Sequence, residues 1–385
     1  MKLALFCHSL QSDWGNDCAH FLRGIASALL DREMEVEVYE PFDAASLRSL
    51  IADRGEKPLA DFRLVYPQLR SNRYLAEELD LDCILEGVDV VIVHDWNDPS
   101  LIRRIGRHRF ENRSPYLLLF NDSRHRPSIE PEQPASLDLE YYDGVLASTN
   151  AIRDAHLEEG SAPHVWTWRL AADTRVFHPR PHGEPDGDVV WIADWSDEHA
   201  AAIREFLIRP AADLHLHARA FGARYPHRAV SALRASGVGY GGWRPNFLLA
   251  EIFARYRATV HAPAAPNLGA PSMRPFEALA CAIPLISTPL NDGDHLFTPG
   301  EDFLEARDSD EMRRCIRDVL ADRALAQRLA EHGLKTILRN HTCEHRAAEL
   351  LSILDELRPG MTAIEIAGRC ETECHPEPAK PPEGA

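Results

Sequence analysis

Apolar runs of strand length alternate with segments of helical period along the whole chain, and that alternation predicts parallel α/β sheets rather than segregated sheet and helix. In the first half the runs fall at 3–8, 36–39, 88–94, 116–120 and 145–148. The clearest helix between them is 18–30, where Phe21, Leu22, Ile25, Ala28 and Leu29 share one face. A second series begins near residue 188, with strands expected at 189–193, 214–218, 238–241, 258–261 and 285–287. Residues 171–179 and the polar stretch 182–188 concentrate proline, glycine and charge, as a linker does. The pattern therefore predicts two Rossmann-like, doubly wound parallel-sheet domains with a cleft between the carboxyl ends of their strands.

The chain has 385 residues, enough for two cores when single domains run roughly 100 to 200 residues. No stretch approaches the ~18 apolar residues of a membrane span. The N-terminus turns polar at His8, too soon for a signal peptide, so a cytoplasmic protein is expected. The eight cysteines are scattered without a C-x-x-C pair and read as reduced thiols; Cys370, Cys374 and His375 are too few for a structural zinc site. A net charge of −18 opposes nonspecific affinity for nucleic acid or anionic lipid. The local exception is Arg103, Arg104, Arg107, His108 and Arg109, which a solvated helix face explains most simply. From residue 359 onward the proline- and glutamate-rich tail has no apolar period and is expected to be disordered.

The most informative segment is 272–287, a short helix opened by Pro275, stopped by Pro284 and followed by a buried strand. Proline at a helix start loses nothing, because its missing N–H would have been an orphan donor. The amides near Ser272 and Met273 then form a phosphate site, Arg274 adds charge-assisted donors, and Glu277 can accept from a ribose diol. The alternative is an ordinary capped helix with Arg274 and Glu277 solvated in its first turn.

This run, 274–287, resembles the donor-site segment of GT-B glycosyltransferases of the retaining family-4 type, and more closely still their spore-maturation branch. The resemblance implies that Glu277 grips the ribose of a nucleotide-sugar. The family's other acidic residue, eight positions earlier, is replaced by Gly269, which leaves the group at the sugar ring and the stereochemical outcome undefined. The run 173–179 is similar to the family's Asp-x-x-x-Phe-x-Pro interdomain segment. The resemblance implies an acceptor domain at 1–172, a donor domain at 173–345, a C-terminal helix at 346–358 and the tail at 359–385.

Other candidates sit at strand ends. The turn 12–20 lacks G-x-G-x-x-G and so supports no nicotinamide or flavin; in the resembled family the matching loop closes over the cleft, which makes Gly15 and Asn16 candidates. His94 and Asp95, beside Trp96 as a sugar platform, are candidates for taking the acceptor's proton. Asp122 and His125 lie at an equivalent edge, with helix capping as the alternative for Asp122. Family-4 enzymes place an Arg and a Lys on the donor phosphates where this chain has Asp194-Trp195-Ser196, so Arg224 is the expected substitute cation. Gly242 and Trp243 match the family's nucleobase-contacting strand end; a glycine turn with a packed Trp243 is the alternative. Asp292-Gly293-Asp294 reads as a turn, and no metal or cofactor beyond the donor is expected. The expected activity is metal-independent transfer of a sugar from a nucleotide-diphosphate-sugar to an acceptor nucleophile. The rivals are a catalytically silent nucleotide-sugar-binding protein and a glycosyltransferase acting on modified DNA, the latter opposed by the acidity of the chain.

Overall fold

The computed structural model describes residues 1–358 apart from 17, 125–136, 182, 263–271 and 291–292. Two sheets carry the fold, and every strand pairing in both is parallel. The first has seven strands in the order β3-β2-β1-β4-β5-β6-β7. They are β1 Lys2–Phe6, β2 Glu35–Pro41, β3 Ser71–Tyr74, β4 Val90–His94, β5 Leu117–Asp122, β6 Gly144–Ala147 and β7 Val165–Thr167. The second has six, in the order β10-β9-β8-β11-β12-β13. They are β8 Gly187–Ile192, β9 Ala218–Phe221, β10 Gly239–Tyr240, β11 Tyr256–His261, β12 Leu285–Ser287 and β13 Leu304–Glu305. The central strands β4 and β5 are buried along their length, which is why they read as unbroken apolar runs.

Three strands escape the apolar pattern. β3 (Ser-Asn-Arg-Tyr) and β7 are edge strands with partly solvated residues, and β13 pairs through only two positions. The strand expected at 214–218 is displaced. Residues Arg209–Leu214 are helical, His215 turns the chain in the left-handed region, and β9 starts at Ala218. Leucines at 214 and 216 alternating with histidines at 215 and 217 imitate strand periodicity there.

The two lobes share one apolar cluster, in which Leu5, Phe21 and Trp168 join Val190, Phe276 and Leu285. The C-terminal helix begins at Cys343 rather than 346, capped by Thr342, and packs on the first domain against the helix Ala19–Leu30. Gly24 permits that approach: a Cβ there would lie 2.3 Å from the Cys343 sulfur. Trp168 Nε1 donates to the Arg346 carbonyl at 2.9 Å and Arg358 to that of Asp89 at 2.8 Å. Among the described residues no helix is long and apolar enough to cross a membrane.

Candidate active site

The loop after β1 meets the residues that follow β9 and β10, so the carboxyl edges of the two sheets face each other. Gly15 takes φ +65°, and a Cβ built on it would stand 3.5 Å from Nη1 of Arg224. That left-handed conformation favours glycine, and the guanidinium lies in van der Waals range of that Cβ position. Arg224 is half-exposed and stands 3.6 Å from Asp194. The Asp13 carboxylate accepts the backbone N–H of Asn246, and the rings of Trp14 and Trp243 lie 5.2 Å apart. Burial raises the Asp13 carboxyl, against the pull of Arg23.

Glu277 lies at the centre of this interface and is fully buried. Its Oε1 accepts from His20 Nδ1 at 2.9 Å and from the Asn246 side-chain amide; its Oε2 accepts from Arg274. The His20 tautomer follows from its other nitrogen, because Nε2 accepts the Asp173 N–H at 2.9 Å, leaving the proton on Nδ1. Phe177 stacks on the same ring at 4.3 Å. Burial alone would push the Glu277 carboxyl up, but Arg274, His20 and Asn246 outweigh it and hold the pKa below the ordinary value.

A second polar cluster occupies the carboxyl ends of β4 and β5. Asp95 accepts from Ser123 Oγ and from Arg124 Nε, each at 2.9 Å, and Arg124 lies 3.9 Å over the Trp96 ring. Asp122 accepts the Arg124 N–H at 2.9 Å and is 2.8 Å from His156 Nε2. His94 Nδ1 stands 3.2 Å from Asp95, and burial lowers the imidazole's pKa, so the ring is neutral.

Residues 204–352 match a family model described as glycosyl transferase-like. Similar solved structures include a sucrose-phosphate synthase from Thermosynechococcus elongatus, with TM-score 0.64, 14% identity and coverage of 93% of this chain and 99% of that one. Anabaena HepE in complex with UDP and glucose gives 0.65 and 14%, covering 92% and 100%. An alpha-glucosyltransferase in complex with UDP and a 13-mer DNA containing an HMU base gives 0.69 and 11%, covering 92% and 99%. The chain has the GT-B fold of these structures. No curated protein sequence matches it.

In this GT-B frame Gly15 and Arg224 meet across the interface that also buries the Arg274–Glu277 pair, yet several expected roles change. Asn16 turns its amide inward, donating to the carbonyls of Ser9 and Ser12 at 3.1 and 3.3 Å, so it shapes the loop. The Trp243 side chain is buried among Ala44, Leu47, Leu50 and Ala223, the packed arrangement that stood as the alternative. Gly242, φ +72°, faces Arg54 of the other domain. The helix Met273–Ala280 starts two residues before Pro275; Ser272 caps it by accepting the Arg274 N–H at 3.3 Å, and Met273 is buried. Arg274 neutralises Glu277 directly, and Glu277 is no solvated acceptor. Asp95 and Asp122 are held by neighbouring cations and donors, and Trp96 is covered by Arg124 where a sugar platform was expected. His125 and Gly269 lie outside the described residues, as does Asp292; Asp294 binds Arg169 at 2.8 Å, and no metal-holding group of three His, Cys, Asp or Glu occurs among the described residues.

His20 and Asn246 were missed. Each sits in an otherwise apolar or mixed helical stretch, and only the tertiary pairing with Glu277 reveals it. The arginine cluster is engaged locally, Arg104 with the Ala76 and Leu79 carbonyls, Arg107 with Asp138 and Arg109 with Asp143.

Proposed function

We propose that the protein transfers a sugar from a nucleotide-diphosphate-sugar to an acceptor nucleophile, without a metal ion. The observation that carries this reading is Gly15 of one domain lying against the half-exposed guanidinium of Arg224 in the other. A cation set against bare backbone, at the mouth between two strand edges, fits a diphosphate flanked by the transferred sugar. Arg224 and Arg274 supply charge to the leaving diphosphate, Glu277 takes the ribose in exchange for a present partner, and His94 is the base assigned to the acceptor. The UDP carried by the HepE and alpha-glucosyltransferase structures favours a uridine donor. Buried thiols at Cys7, Cys281 and Cys343, none in a disulfide, suit a reducing, cytoplasmic setting.

The test is release of nucleoside diphosphate from a panel of UDP-, GDP-, ADP- and TDP-sugars, with and without EDTA. Release with one base, insensitive to EDTA, is expected. A second reading, a silent binder, is favoured by the full occupation of Glu277 in this closed interface. It predicts a raised melting temperature with the right nucleotide and no release above background. DNA bearing hydroxylated bases belongs in the acceptor panel because of the DNA-bound structural relative. Stimulation by such DNA at low salt would identify the acceptor as nucleic acid.

A further inference from the structure

The second sheet reverses its strand order between β8 and β11, and ligands of open α/β sheets bind outside the strands' carboxyl ends at such a point. Two buried polar groups beside it have no partner. His261, the last residue of β11, is 6% exposed, and its Nε2 makes no hydrogen bond. Ser287, the last residue of β12, is 0% exposed, and its Oγ makes none either. The two are register partners on neighbouring parallel strands, so their side chains leave the same face of the sheet. Leu285, two residues earlier on that face, packs in one cluster with Met273, Phe276 and Leu279. The helix Met273–Ala280 therefore covers the face on which His261 and Ser287 stand. Its first turn carries Arg274, and Arg274 and His199 are the charged groups that act on His261. His199 belongs to the helix Asp197–Ile203, which follows β8.

Native interiors pair their buried polar atoms, so two orphans at adjacent strand ends call for a ligand. Its sign follows from the surroundings: a guanidinium, a second imidazole and a helix start all favour an anion. Burial with Arg274 and His199 lowers the His261 pKa to about 3, so the imidazole is neutral and offers one N–H.

We propose that His261 and Ser287 bind the diphosphate of the nucleotide donor, Nε2–H and Oγ–H donating to its oxygens while Arg274 supplies the opposing charge. The proposal rests on the glycosyl-transfer reading and assigns to these residues part of the work of the Arg and Lys that this chain lacks at Asp194-Trp195-Ser196. Both donors would favour the diphosphate as it leaves, because its charge rises during transfer.

Inorganic pyrophosphate is the probe, since it needs no knowledge of the base. Calorimetric titration of the full chain is expected to show binding by the wild type, about tenfold or greater weakening in His261→Phe, and several-fold weakening in Ser287→Ala. His261→Gln, which keeps an N–H donor, is expected to stay within about threefold of the wild type. A cooperative melt confirms that each variant is folded; should the Phe variant fail to fold, Ser287→Ala carries the test. Wild-type affinity in both deletion variants, or no pyrophosphate binding by the wild type, overturns the proposal. Nucleotide release by the wild type, measured in parallel, separates the two readings. Release together with unaffected variants removes only this subsite, whereas absence of release removes the glycosyl-transfer reading itself.

Discussion

Replacing Glu277 by Gln tests whether the interface is held by a charge or merely by shape. The substitution keeps the volume but removes the carboxylate bonded to Arg274, whose side chain is 16% exposed, and it weakens the bonds from His20 and Asn246. Three charge-assisted hydrogen bonds at about 1.5–3 kcal/mol each give an upper bound. They share one carboxylate and are not additive, so the cost expected is that of breaking a buried pair, about 3–5 kcal/mol. For a domain of this size that corresponds to a fall in melting temperature of roughly 6–20 °C. The pH dependence supplies an independent check. The Glu277 pKa is lowered in the folded state, so its contribution is fully present above the unfolded value of about 4.3 and is lost as pH falls through the folded value. The wild type and Glu277→Gln should therefore converge in urea midpoint as the solution is acidified below that range. Adding Arg274→Met to Glu277→Gln should recover part of the loss, because it removes the orphaned guanidinium. A loss under about 1 kcal/mol with an unchanged acid limb would falsify the account.

Other perturbations address separate parts of the structure. Gly24→Ala drives a Cβ to within 2.3 Å of the Cys343 sulfur, so it should cost about 1–3 kcal/mol by thermal denaturation and loosen the C-terminal helix, seen as faster amide exchange in 343–357. Trp243→Ala empties a buried site between the lobes and should cost about 3–5 kcal/mol in urea unfolding. Arg224→Ala, at a half-exposed site, should leave the melting temperature within a few degrees while weakening the productive nucleoside diphosphate about tenfold or more in titration. His261 has a folded pKa of about 3, below its unfolded value of about 6.5, so the unfolded chain binds the extra proton and stability should fall as pH drops through that window; His261→Gln should flatten the slope of urea midpoint against pH.

The alternation of apolar runs with helical segments made the two-domain parallel architecture legible, because doubly covered strands such as β4 and β5 must be apolar along their length. It failed where burial is partial, at β3, β7 and β13, and where spacing imitated a strand at 214–218. The motif at 272–287 located the central helix and its Glu277, since helix-start chemistry is local. What surrounds that carboxylate is not local: His20 is 257 residues away and Asn246 is 31 away. A histidine inside an amphipathic helix carries no sign of its partner. The side-chain placements of Asn16 and Trp243 were not legible for the complementary reason, that a polar side chain in a turn and an aromatic after a glycine pair look alike whether they meet a ligand or their own fold.

The polar contacts across the interface also explain how a cleft can be both closed and usable. His20 and Asp13 come from the first domain, Asn246, Arg274 and Glu277 from the second, and the His20–Glu277 and Asn246–Asp13 bonds both end on a carboxylate. Separating the lobes exposes those carboxylates to water rather than to apolar surface, so the loss on opening is partly offset by hydration. The apolar contribution to closure sits to one side, where Phe247 of the second domain meets Phe62 and Tyr66 of the first around the buried Arg23 guanidinium. A grip that is apolar at one edge and exchangeable at the other favours rotation about the aromatic edge over dissociation. Such a rotation would break the His20 bond to Glu277, and under the proposed function that is the carboxylate assigned to the ribose diol.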